Sequence, residues 1–156
     1  MHSLVEGILA ASQARGFKPA AAWPKAEGRD LIGSARGLRG RGLIPVIAEI
    51  KPKALGRSLA LEEVAAYAKA YAENNACAIS VLTEPTHFKG ALENALIARQ
   101  AGLPVLRKDF IFDECQLAEV QADLVLLIAS LGIDLQSFAD RAESLGMEPL
   151  VEVHTA

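Results

Sequence analysis

The chain reads as an α/β protein built on a parallel sheet, and three observations predict it. Five short apolar runs rich in β-branched residues fall between residues 45 and 153. Helical patterns alternate with them, and no hairpin signal joins any two. The runs start about 20 to 31 residues apart, which is the size of a βα unit. Continuous hydrophobicity over a short run marks a strand buried on both faces. Strict strand–helix alternation then makes βαβ crossovers and a parallel sheet.

The elements follow in order. Residues 3–15 predict a short helix with Leu4, Ile8 and Leu9 on one side. A loop-rich stretch comes next, carrying Gly16, Gly28, Gly33, Gly37, Gly40 and Gly42 with Pro19 and Pro24. Its basic run 36–42 (RGLRGRG) reads as a solvated loop, because a few cations among glycines specify no partner. Residues 1–44 are thus expected to be a helix-and-loop extension, and 45–156 the regular region. The first strand is 45–50 (PVIAEI). Leu61, Val64, Ala65, Ala68 and Tyr71 follow at helical spacing, with Ser58 as the candidate N-cap. The second strand is 76–82 (ACAISVL), followed by a helix through Leu92, Ala95, Leu96 and Arg99 that Gly102 ends. The third strand is 103–107 (LPVLR). Asp113 with Gln116 reads as a capping box for a very short helix. After the fourth strand, 123–128 (DLVLLI), comes a helix through Leu131, Leu135, Phe138, Ala142 and Leu145, capped by Asp134 and stopped by Gly146. The fifth strand is 149–153 (PLVEV).

Composition narrows the function classes. A chain of 156 residues with 51% hydrophobic and 22% charged residues is one globular domain by size and far from a disordered composition. A formal net charge of −3 argues against a nucleic-acid partner. No apolar run reaches the roughly 18 residues of a membrane helix, so no membrane partner is expected. The N-terminus lacks a basic start and a clear cleavage site, so no signal peptide is expected. Cys77 and Cys115 are too few for a disulfide scaffold and fit free thiols in the cytoplasm. No Cys, His or carboxylate set has metal-ligand spacing, and no glycine loop has nucleotide-binding spacing. Neither a metal nor a cofactor is expected.

Ligands of α/β sheets and barrels bind at the carboxyl ends of strands. Residues two apart in a strand share a face. Glu49 and Lys51 therefore project together from the first strand, Lys108 projects from the third, and Glu152 from the fifth. These are alternate strands, which in a closed barrel feed one interior layer. The four side chains would converge at one mouth. Carboxylates favour the charged form of a lysine, while like charges and desolvation oppose it. Such a set suits acid–base chemistry on a carbonyl compound; it equally suits a structural ion-pair cluster at strand ends. Phe88 and Phe110 both follow strand ends and fit either ordinary core or an apolar wall for an aromatic substrate. His154 reads as a polar loop residue and Cys77 as a small hydrophobe.

The runs VIAEIKPK (46–53), AISVLTE (78–84), FKG (88–90), LPVLRKDFI (103–111), ADLVLLIA (122–129) and LVEVH (150–154) together resemble indole-3-glycerol-phosphate synthase. They occur in that family's order, with nearly its spacing, and cover residues 45–154. Phosphoribosylanthranilate isomerase, another phosphate-binding barrel, has no counterpart to the LRKDFI run. The resemblance implies a TIM (β/α)8-barrel family fold and a cytoplasmic, cofactor-free lyase of tryptophan biosynthesis. Such an enzyme converts 1-(2-carboxyphenylamino)-1-deoxyribulose 5-phosphate to indole-3-glycerol phosphate, releasing carbon dioxide and water. It implies that Lys108 is the general acid, Glu152 a general base, and Lys51 the residue for carboxylate binding and dehydration. Glu49 would position a lysine. It further implies substrate-binding positions at Lys53, Ser80, Phe88, Phe110 and Leu127.

Two departures from the family carry expectations of their own. Ala54 stands where the family has a phosphate-binding serine, and Lys53, Gly56 or Arg57 are the candidates to compensate. Five strands are legible where a barrel has eight, so the barrel is expected to be incomplete here, truncated after the fifth strand. A complementary half-barrel chain or self-association would then complete it.

Overall fold

A computed structural model describes residues 3–17, 28–52 and 56–153. Helix α1 spans Ser3–Arg15 and α2 spans Leu31–Gly40. The regular region then runs β1 Ile47–Ile50, α3 Leu61–Glu73, β2 Ala78–Leu82, α4 Leu92–Arg99, β3 Val105–Lys108, α5 Glu114–Leu117, β4 Leu124–Ile128, α6 Leu135–Ser144 and β5 Glu148–Glu152. All four strand pairings are parallel, and the sheet order is the chain order, β1-β2-β3-β4-β5. A doubly wound sheet reverses its strand order part-way. This one does not, so every crossover helix packs on the same face, as in a (β/α)-barrel.

The register separates two layers. One face of the sheet sends Ile50, Ile79, Val81 and Val105 against α3 and α4, where Val64, Ala68, Ala95 and Ala98 fill the space. Further along, Val125 and Leu127 meet Leu117, Phe138, Ala142 and Met147. The opposite face carries Leu106, Leu124, Leu126 and Ile128, over which Val5 of α1 and Leu31 of α2 pack. The βα units thus carry their helices outside, and α1 and α2 of the extension reach the concave side and the base.

Three expectations about elements change. Residues 31–40 form a helix where the sequence reads as loop. The Asp30 carboxylate caps it by accepting the Gly33 N–H at 2.9 Å, and Leu31, Ala35 and Leu38 form one stripe against Cys77 and Ala78. That burial outweighs the helix cost of Gly33, Gly37 and Gly40, which is about 1 kcal/mol each. The N-cap of α3 is Ala60, not Ser58. The Glu63 side chain serves the helix start instead, accepting the Ala60 N–H at 3.0 Å while Arg57 clamps both of its oxygens at 2.7 and 2.6 Å. Strand ends also shift by one or two residues, β3 gaining Lys108 and β5 starting at Glu148. The Asp113–Gln116 capping box and the Asp134 cap form as expected. Gly102 and Gly146 take positive φ at the ends of α4 and α6.

Two buried ionic clusters brace the sheet. Arg107, on the helix-facing side of β3, is fully buried and meets Asp109 at 3.1 Å and Glu119 at 3.2 Å. It also donates to the Gln116 carbonyl. At the other end of the strands, the buried Asp123 carboxylate takes Arg99 at 2.9 Å and the Val105 N–H at 2.9 Å. It also accepts the Arg29 N–H at 3.1 Å. Charges taken from water at this depth cost several kcal/mol each unless partnered; both carboxylate clusters supply partners, although Arg107 Nε itself has none among the described residues.

Candidate active site at the strand carboxyl ends

A cavity of about 330 Å³ opens on the concave side at the carboxyl ends of the strands. Its wall includes Glu49 and Lys51 from β1 and the residue after it, Lys108 from β3, and Glu152 from β5. The alternation argument named these four, and the fold brings them to one mouth. Lys108 Nζ lies 3.2 Å from Glu49 Oε2 across the width of β2, with both side chains half-buried. The Tyr71 hydroxyl of α3 donates to the Glu49 carbonyl at 3.1 Å, pinning the end of β1. Burial pushes the Tyr71 phenol above its ordinary value, so it stays a donor at neutral pH.

An aromatic pair forms part of the wall. Phe88 sits in the loop after β2 and Phe110 in the loop after β3. Their rings stack with centroids 6.0 Å apart and planes at 23°, the offset geometry that aromatic pairs favour. Beneath them the Thr83 hydroxyl donates to Asp109 at 2.7 Å, and Asp109 also accepts the Phe110 N–H at 2.9 Å. The two loops are therefore tied to each other below the rings.

Two of the expected substrate-binding positions lie elsewhere. Leu127 is fully buried on the helix side of β4, against Phe138 and Ala142; its neighbours Leu126 and Ile128 face the cavity. The correction is one of parity, since a one-residue step along a strand changes the face. Ser80 points to the concave side, opposite Glu49 and Leu106 in register. It lies one layer below the mouth, buried at 5% exposure, with its hydroxyl unpartnered among the described residues. Lys53, Ala54 and His154 lie outside the described residues. Sequence reasoning missed Val5, Asp109, Ser130 and Leu131, which also line the cavity. Asp109 follows directly on the carboxyl end of β3 and Ser130 lies two residues past that of β4, and that position is the signal that finds them. Val5 has no such signal, because only the packing of α1 over the concave face brings it there.

The model of the indole-3-glycerol phosphate synthase family matches residues 24–156. The chain belongs to this family. Relatives named indole-3-glycerol phosphate synthase agree with the match. That of Methanocaldococcus jannaschii is 42% identical over 119 residues, covering 71% of this chain and 45% of its own length. That of Salinibacter ruber is 44% identical over 136 residues, covering 81% of this chain and 50% of its own. That of Halobacterium salinarum is 39% identical over 156 residues, covering 98% of this chain and 61% of its own. The chain spans about half the length of the curated relatives it matches. Membership of the synthase family accounts for the strand order, which is that of the first five strands of a TIM barrel. Among the described residues, no helix is long and apolar enough to cross a membrane.

Proposed function

We propose that this chain supplies the acid–base half of an indole-3-glycerol-phosphate synthase active site. The substrate would be 1-(2-carboxyphenylamino)-1-deoxyribulose 5-phosphate, in a cytoplasmic step of tryptophan biosynthesis. The observation that carries the reading is the Lys108–Glu49 pair, 3.2 Å apart at the mouth beside the stacked Phe88 and Phe110. Ring closure joins an aromatic carbon to the ketone carbon, and the ketone oxygen must take a proton as the bond forms. Lys108 delivers it, with Glu49 fixing where the ammonium stands. Lys51 faces the substrate carboxylate, which leaves as carbon dioxide, and serves the later dehydration. Loss of carbon dioxide restores the benzene ring, and Glu152, on the fifth strand, removes a proton from the nitrogen-bound methylene carbon as the former ketone oxygen departs as water and the indole ring forms. Phe88 and Phe110 provide the flat, dry surface for the phenyl group. Lys53 would assist in holding the substrate, while Ser80 acts from the layer beneath.

The test is turnover of that substrate, followed by indole-ring fluorescence. General acids contribute about 10²- to 10⁴-fold, so Lys108→Ala is expected to lower kcat by that order. Equal rates in the two proteins would sink the assignment.

A second reading rests on a separate observation. The edge strands β1 and β5, with Val46 just ahead of β1, expose apolar side chains: Val46 at 54%, Ile47 at 41% and Val151 at 46%. Edges of this kind invite strand pairing. Catalysis then requires further βα units, from another polypeptide or a second copy, to cover both edges and complete the mouth. Activity per mole of protein that rises with protein concentration supports this reading; activity per mole that stays constant down to the nanomolar range opposes it.

A further inference from the structure

The loop between β2 and α4 is organised around one buried carboxylate. Glu84 is only 1% exposed. Its Oε1 accepts the Thr86 N–H at 2.7 Å, and its Oε2 accepts the His87 and Phe88 N–H groups at 2.7 and 2.9 Å. Its own carbonyl accepts the Gly90 N–H at 2.8 Å, closing the loop. The last of the three side-chain bonds is to the backbone of the residue whose ring stacks on Phe110. One residue back along the chain, the Thr83 hydroxyl holds Asp109, which in turn holds the Phe110 N–H. Both rings of the cavity wall are thus hung from backbone amides that end on buried carboxylates.

We propose that Glu84 is a positioning residue that sets the place of the Phe88 ring, and so tunes the cavity for a flat aromatic substrate. The proposal rests on the aromatic-substrate reading for its functional part, but its structural part stands alone. A buried carboxylate offers only acceptors, which matches three converging N–H donors. An amide in its place would turn one acceptor into a donor facing an N–H. At least one of the three amides would be left unpaired in a buried loop, and the loop would shift to rehydrate it. Charge-assisted bonds from N–H groups to a carboxylate are also about twice as strong as neutral ones.

Two measurements on the full chain test this. With labelled phenylalanine rings, NOEs between Phe88 and Phe110 report the stack without any ligand. Glu84→Gln that remains folded by circular dichroism is expected to lose them; intact ring-to-ring NOEs overturn the proposal. Titration with N-methylanthranilate reads the functional part. Glu84→Gln and Phe88→Ala are each expected to weaken binding roughly tenfold. If Glu84 acts through Phe88, the double variant is no weaker than Phe88→Ala alone. Additive losses mean that Glu84 acts by another route, and overturn it. Should Glu84→Gln not fold, Glu84→Asp keeps the charge with a shorter reach, and unchanged NOEs in that variant are equally fatal. A wild-type chain that binds no N-methylanthranilate, yet loses the NOEs on Glu84→Gln, supports the positioning role and counts against the aromatic-substrate reading instead.

Discussion

Side-chain parity explains most of the cavity. Glu49 and Lys51 share a face because they are two apart, and Lys108 joins them because β3 is in register with β2, Leu82 opposite Lys108. Each was legible as a charge set among apolar residues at a strand end. Leu127 was misplaced by a single step, since in a run buried throughout, such as β4, hydrophobicity does not tell the two faces apart. The Lys108–Glu49 pair is half-exposed, and exposed pairs contribute about 0–1 kcal/mol. Lys108→Ala is therefore expected to lower activity with little change in thermal midpoint, measured by circular dichroism. Glu63 makes a different residue-scale prediction. The bonds from Arg57 and the Ala60 N–H hold its carboxyl down at about 2, against an ordinary value of 4.5. A depressed carboxylate stabilises the fold above its unfolded value and loses that contribution as pH falls through the folded one. Carbon NMR should find the Glu63 carboxyl titrating near 2, and Arg57→Ala should return it toward 4.5. A midpoint unchanged by that substitution refutes the clamp.

Elements were legible wherever local chemistry was strong. The Asp113 and Asp134 caps, the stops at Gly102 and Gly146 and the five apolar runs all place their elements within a few residues. The helix α2 was not, because its glycine content opposes helix and only contact with Cys77 and Ala78 favours it. Ser58 was a good cap by composition, yet the Arg57–Glu63 clamp starts α3 from Ala60. The β2–α4 loop offers the clearest element-scale prediction. A Cβ on Gly90 would overlap the Leu82 carbonyl and the Thr83 backbone, atoms that belong to β2 and its exit and have little room to yield. Overpacking of this kind costs about 1–3 kcal/mol. Gly90→Ala should lower the urea midpoint by a corresponding amount, and a midpoint equal to wild type would mean that the loop has slack.

For the whole molecule, the sheet order is the decisive fact. Five parallel strands in chain order, crossover helices on one face and a mouth at the carboxyl ends make a barrel wall. Its two edges expose Val46, Ile47, Leu150 and Val151, and exposed apolar edges pair with further strands. Light scattering on the 16.6 kDa chain is expected to give a mass above the monomer that falls on dilution. Val46→Lys with Val151→Lys should suppress it, because edge lysines oppose pairing. A concentration-independent monomer before substitution would count against any association through these edges.

By itself the sequence determined the α/β class, the strand–helix order and which charged residues stand at strand ends. Those properties follow from period-two and period-3.6 patterns and from caps a few residues long. Its motifs also carried the family. Tertiary structure decided that α2 is helical, that Val5 reaches the cavity and that Leu126 and Ile128, not Leu127, face it. It alone showed that Glu84 and Asp109 hold the two aromatic loops. Apart from the Glu84 bonds, which span two to four residues, these depend on contacts between residues far apart in the chain, and no local pattern encodes which distant surface will bury a given side chain.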